Sequence, residues 1–263
     1  MKIFIDPGHG GESIGAAYKG RLEQDDCLRL SLEVRDLLLQ QKNVEVKMSR
    51  ITDVNPEIED RCAEANAWGA DYFLSIHRNA FKPNEATGVE VWIYSECAKG
   101  GETYKMAEKI LNSVCSATGL KNRGVKLGAP DYDDFGVNRL TKMHSCLLET
   151  GFIDNDSDND IFDNKFNEMA EGIAKAVYEA NGGKWSEIST KIEEKAPVED
   201  CGYIYYIQAG AFKNRKKAEA EAKRISKLTG INCFVGVKGD VDGDGKITSE
   251  DARQIMRGAV GLV

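Results

Sequence analysis

Histidine is scarce in this chain of 263 residues: only His9, His77 and His144 occur, so each can be weighed individually. No segment approaches the ~20 consecutive apolar residues that a membrane span needs, so membrane insertion is not expected. Positive charge is also in deficit, with 35 Lys and Arg against 43 Asp and Glu and a net charge of −8. A backbone-tracking nucleic-acid partner would call for the opposite bias, and none is expected. Cys27, Cys62, Cys97, Cys115, Cys146, Cys201 and Cys233 include no CxxC pair, and an odd number cannot all pair within the chain. Reduced, mostly buried thiols are the expectation. The opening MKIFIDPGHGG contains no apolar stretch of signal-peptide length, which predicts synthesis in the cytoplasm without a signal peptide.

What is present is 41% hydrophobic residues, enough for one sizeable domain and something smaller. Short apolar runs at 2–5, 44–48, 72–77, 88–94 and 145–149 read as strands. Amphipathic stretches near 23–41, 56–68, 101–118 and 165–180 read as helices between and after them. The second helix is marked by Asn55 as N-cap, Pro56 at the first helical position and Gly69 at its end. Such alternation predicts an α/β layer fold with a mainly parallel sheet over residues 1–181. Residues 182–202 lose apolar periodicity and read as a linker, 203–238 as a strand-helix-strand unit, and 239–263 as an Asp/Gly-rich loop followed by a short helix.

His9 follows the first strand in DPGHGG, and His77 closes the third in SIHRNA. Residues just beyond the carboxyl ends of strands line the ligand crevice of an α/β sheet. Two imidazoles and one carboxylate form a recurrent catalytic zinc set that keeps a coordination position open. Glu23, at the entry to the first helix, can supply the carboxylate, although Asp25 and Asp26 compete with it on spacing alone. A proton-handling group is also needed. Glu149 closes the apolar run SCLLE, where burial would raise its pKa toward useful values. The structural alternative is an ion pair from Glu149 to Arg61 or Arg139.

DPGHGG, the Glu23 helix entry, SIHRNA and LLETGFIDN, in that order, resemble the zinc N-acetylmuramoyl-L-alanine amidases of type 3 found in bacterial autolysins and phage endolysins. The likeness spans about residues 1–180 and includes NRGVK at 122–126. It implies a mixed, mostly parallel sheet of about six strands flanked by helices. It also implies Zn2+ on His9, Glu23 and His77, with Glu149 as the catalytic acid-base. The implied reaction is hydrolysis of the amide between N-acetylmuramic acid and the L-alanine of the peptidoglycan stem, acting at the bacterial wall after release, most simply as an endolysin. An inert wall-binding scaffold and a zinc peptidase on another wall amide are the competing readings. His144 stands where related chains tend to have proline and is read as structural. Arg78 occupies a slot often held by a small residue; it is expected to narrow the groove or meet a stem-peptide carboxylate, with Asn79 beside it as a further substrate contact.

The segment from Tyr203, with IQAGAF and an Ala-rich basic helix, resembles the first half of a sporulation-related repeat that binds peptide-stripped glycan, and half a sheet predicts a homo-oligomer to close it. DVDGDGKITSED resembles one dockerin repeat. Its spacing places Ca2+ on Asp240, Asp242, Asp244, the carbonyl of Lys246, Thr248 and Asp251.

Overall fold

The computed structural model describes residues 1–129 and 135–186. The expected strand-helix-strand unit and the calcium loop lie outside the described residues. The chain divides into two units, Met1–Ile188 and Ser189–Val263, and the description concerns the first. Its elements are β1 (Lys2–Pro7), β2 (Ala17–Tyr18), β3 (Arg21–Leu22), α1 (Glu23–Leu39), β4 (Glu45–Met48), α2 (Ile58–Trp68) and β5 (Tyr72–Asn79). There follow β6 (Val89–Ile93), α3 (Glu102–Thr118), β7 (Asn122–Leu127), α4 (Gly136–Arg139), β8 (His144–Phe152), α5 (Asp156–Asn164) and α6 (Phe166–Ala180).

Six strands form one sheet in the order β4-β1-β5-β8-β6-β7. β4, β1, β5 and β8 run parallel; β6 is antiparallel to β8, and β7 is parallel to β6. The sheet is therefore mixed and mostly parallel. Alternation within each strand separates two cores. Ile5, Leu74, Ile76, Val91 and Leu148 face Leu30, Val34, Ile110 and Ile173 of α1, α3 and α6. Phe4, Phe73 and Leu147 face Cys62 and Ala65 of α2 and Val137 of α4. Burial on both faces explains why the central strands are near-continuous apolar runs rather than alternating ones.

Chain order leaves β1 toward β4 on one side and returns to β5 on the other, so the strand order reverses between β1 and β5. Their carboxyl ends open the crevice that such a switch point creates.

Six elements differ from the reading of the sequence: α2 starts later, and β2, β3, β7, α4 and α5 were not read. α2 begins at Ile58, not at Pro56, because Arg61 takes the groups meant to start it: its Nη2 donates to Asn55 Oδ1 at 2.7 Å and its Nε to the Pro56 carbonyl at 2.7 Å. The end at Gly69 agrees, with the glycine in the left-handed region at φ 68°. β7 is half-buried and interrupted by glycine, and α5 is short and rich in aspartate. α5 is nonetheless capped, Asn155 Oδ1 accepting from Asp158 N at 3.1 Å. All five described cysteines are free thiols.

Leu74 lies fully buried on β5, in the middle of the sheet. Leu74→Ala is expected to lower unfolding free energy by about 2–5 kcal/mol in urea denaturation, since deletion leaves a cavity in close-packed surroundings.

Candidate active site

The site is assembled at the carboxyl ends of β1, β5 and β8. A row of residues crosses the sheet here. Gly8 N donates to the Ile76 carbonyl at 2.9 Å, His77 pairs in register with Glu149, and Glu149 pairs with Glu90 on β6. Register partners share a face, so His77, Glu149 and Glu90 point the same way, spaced by about 4.8 Å per strand.

His9 reaches the row from the loop after β1, where the backbone turns through the left-handed region at His9 itself, φ 60°. A non-glycine residue there is uncommon and persists only when its surroundings hold it. Ser13 Oγ does so, 3.1 Å from His9 Nδ1, which leaves Nε2 facing inward. The short β2–β3 hairpin then delivers Glu23 at the first position of α1. The segment is locked reciprocally: Glu23 N donates to the Ala16 carbonyl at 2.9 Å, and Ala16 N donates to Glu23 Oε2 at 2.8 Å.

The other oxygen, Glu23 Oε1, lies 2.9 Å from His77 Nδ1 and 3.2 Å from His9 Nε2, and accepts from Arg78 N at 3.1 Å. The two rings meet edge to face with centroids 4.9 Å apart. Two glycines make this approach possible. A Cβ on Gly8 would lie 2.4 Å from His77 Cε1, and one on Gly15 would lie 2.6 Å from both Glu23 Oε2 and His9 Cδ2. Burial pushes the Glu23 carboxyl up, but hydrogen bonds from His77 and then His9 prevail and hold it below the ordinary carboxylate range.

Among the described residues, His9, Glu23 and His77 are the one group whose donor atoms could hold a metal ion, lying within 4.8 Å of one another. Two imidazole nitrogens and a carboxylate oxygen suit a borderline cation. The separations of 3.2 and 2.9 Å are close to the roughly 3.3 Å edge of a tetrahedron with ~2 Å bonds. Asp25 and Asp26 do not join them: Asp26 instead accepts from Arg21 and Arg78.

Glu149 presents the complementary chemistry. It is partly accessible, yet its Oε2 is buried with no hydrogen-bond partner among the described residues. Burial, then the charges of Glu23 and Glu90, raise its proton affinity well above that of an ordinary carboxylate, opposed only by Arg78. Arg61 is not its partner, being paired with Asp6 at 3.0 Å. Beyond Glu90 lies a depression of about 310 Å³ lined by Asn79, Phe81, Thr87, Glu90, Arg123 and Phe152, among others.

Residues 3–179 match the N-acetylmuramoyl-L-alanine amidase family. The chain belongs to that family. The amidase fold is shared with the crystal structure of an N-acetylmuramoyl-L-alanine amidase from Clostridium difficile 630, at a TM-score of 0.63 and 32% identity over 70% of this chain and 98% of that one. The N-acetylmuramoyl-L-alanine amidase CwlM of Bacillus licheniformis is 36% identical over 236 residues, which cover 87% of this chain and 84% of that protein. An endolysin of Bacillus phage SPP1 is 34% identical over 182 residues, covering 67% of this chain and 65% of that protein. Residues 202–247 match the SPOR domain, so that match includes Asp240, Asp242, Asp244 and Lys246 of the expected calcium loop.

Of the residues the sequence picks out in this amidase, the structure brings His9, Glu23 and His77 together and sets Glu149 next to His77. It removes Arg78 from the groove. The Arg78 side chain is fully buried, donating from Nη1 to Asp26 Oδ2 at 2.6 Å, from Nη2 to Asn159 Oδ1 at 2.7 Å and to the carbonyls of Gly151 and Phe152, and stacking 4.2 Å from the Phe162 ring. A guanidinium so placed braces the site from behind and cannot meet substrate. Asn79 borders the depression, but its Nδ2 is engaged by Glu90 Oε1 at 2.8 Å. His144 is exposed at the far end of β8, 2.7 Å from Thr103 Oγ1. The reading of the sequence missed Ser13 and Glu90. The Ser at i+4 from His9 in HGGES was the only available signal, and Glu90 had none. Thr248, Asp251 and the other expected calcium ligands lie outside the described residues.

Two outcomes follow from this geometry. Gly8→Ala should leave the fold intact by circular dichroism while displacing the His77 ring, abolishing metal uptake measured on the purified protein. Glu149→Gln should stabilise the metal-free protein at neutral pH. Its folded pKa is raised, so the folded state holds a proton that the unfolded state releases, and parent stability falls as pH rises above the ordinary carboxylate range. The gain in melting temperature should shrink as pH drops to 4 or below (about the ordinary Glu pKa); a gain independent of pH would contradict the account.

Proposed function

We propose that the chain hydrolyses the amide joining N-acetylmuramic acid to the L-alanine of the peptidoglycan stem, with Zn2+ held by His9, Glu23 and His77 and with Glu149 moving the proton. The observation that supports it is the convergence of three donors on one point beside a buried carboxylate oxygen with no hydrogen-bond partner among the described residues. Bound zinc supplies Lewis-acid polarisation of the amide carbonyl and acidifies water.

The chain's own residues do the rest. Glu149, with its raised proton affinity, accepts the proton released by water and delivers it to the departing amine; amide cleavage needs that second transfer because an amide anion is too poor a leaving group. Ser13 keeps His9 in the tautomer whose Nε2 lone pair faces the ion. The depression past Glu90 gives the peptide side of the bond a place to lie, with Phe81 exposed at its edge.

The SPOR match supports attachment to wall glycan by the second part of the chain, and similarity both to a Bacillus licheniformis amidase and to a phage endolysin supports a role at the wall. We favour the lytic role. Ca2+ on the Asp240–Asp251 loop is a separate proposal, tested by calcium titration of the full chain.

Chelation should abolish release of wall fragments from purified sacculi, and added zinc should restore it. Mass spectrometry of the digest should show new free L-alanine amino termini. Glu149→Gln should retain one zinc per chain and lose about 10²–10⁴-fold in kcat. Full-rate lysis under chelation would sink the zinc reading, and new termini at another position would transfer the activity to a different wall amide.

A further inference from the structure

Arg50 follows the edge strand β4 and is 3% exposed. Among the described residues, every hydrogen bond of its guanidinium ends on a main-chain carbonyl. Nε donates to Pro7 O at 3.1 Å, Nη1 to Thr52 O at 3.2 Å, and Nη2 to both Gly8 O and Gln24 O at 2.8 Å each. Gly8 precedes His9 and Gln24 follows Glu23. A single nitrogen thus ties together the two segments from which these ligands project.

The need for such a tie is visible locally. His9 holds a left-handed backbone, and the loop beyond it passes so close that a Cβ on Gly10 would lie 3.1 Å from Arg50 Cδ. The loop and α1 are joined through the β2–β3 hairpin, where Glu23 N donates to Ala16 O and Gln24 N to Ile14 O, and at the site itself His9 Nε2 lies 3.2 Å from Glu23 Oε1. A cation held by both atoms would replace that direct contact, whereas the main-chain clamp uses neither of them.

We propose that Arg50 is a positioning residue of the metal site, presetting the spacing of His9 and Glu23 through their neighbours' carbonyls. This rests on the reading of His9, Glu23 and His77 as metal ligands. The planar fork is what the role requires: four acceptors in different directions match guanidinium geometry, whereas a lysine ammonium is a compact point donor on a flexible stem.

The test compares full-length parent, Arg50→Lys and Arg61→Lys. Arg61 is an equally buried arginine that joins Asp6, Asn55 and Pro56 and touches neither ligand-bearing neighbour. Zinc affinity is measured by competition with a chromophoric chelator, and the Co2+-substituted protein is read by its visible absorption. Arg50→Lys should lose about 10–100-fold in zinc affinity and shift the cobalt bands. Arg61→Lys should lower the melting temperature and leave both readouts at parent values. If lysine at 50 prevents folding, Arg50→Gln is read in its place with the same expectation. Parent-like zinc affinity and cobalt spectrum in the Arg50 variant, whatever its melting temperature, overturn the proposal. A parent chain that binds neither ion overturns the metal reading itself, which is a different and separately visible result.

Discussion

One carboxylate oxygen organises the catalytic end of this fold. Glu23 Oε1 receives His77, His9 and the amide of Arg78 at once, within 2.9–3.2 Å. The three groups come from a loop, a strand end and a backbone N–H, while the carboxylate comes from the first turn of a helix. Bringing an anion to a helix N-terminus is favourable, and bringing it beside two imidazoles is favourable again, so the gathering point stabilises itself. The cost is crowding, and it is met by removing side chains: Gly8 and Gly15 are the positions where a methyl group would collide with the ligands.

Behind that point the support is ionic and almost wholly buried. Arg78 connects β5 to α1 through Asp26 and to the end of β8 through the carbonyls of Gly151 and Phe152. Away from the ligand-bearing segments, a separate pair connects α2 to β1: Arg61 donates to Asp6, which also accepts from Ser49 and Ser75. Buried ion pairs contribute little net stability once desolvation is counted, and removing one partner leaves the other uncompensated. Their value here is geometric: hydrogen bonds with fixed directions hold strand ends to helix starts, which apolar packing, having no direction, does not do.

The legibility of the sequence follows the same division. The sheet was readable because its central strands are apolar on both faces, and the ligand histidines were readable because they sit where those runs stop. Glu23 was ambiguous against Asp25 and Asp26 by spacing; what separates them is that Asp26 is turned to Arg78 and Arg21, a tertiary fact with no local trace. Arg78 was misread for a related reason. A charged residue beside a ligand suggests a role toward substrate, but its strand position sends the side chain to the opposite face from His77, into a pocket made by α1, α5 and the end of β8. Asn55 looked like a helix cap and is one by type; Arg61, six residues on, claims its oxygen. Arg50 gave no signal because its partners are carbonyls, which every residue has.

The row across the strand ends shows how one residue type can serve three purposes. Glu23 is held ionised by imidazoles. Glu90, 5% exposed, is neutralised by Arg123 Nε at 2.7 Å and also accepts from Asn79 and Trp92. Glu149 stands between them, and its buried Oε2 has neither kind of support among the described residues. Burial, with the charges of Glu23 and Glu90 beside it, raises the proton affinity of Glu149 while the imidazoles lower that of Glu23, the divergence that separates acid-base groups from ligands in hydrolytic sites. An arginine or amide partner for the free oxygen would stabilise the fold and would also hold the carboxylate ionised, removing the high proton affinity on which delivery to a departing amine depends.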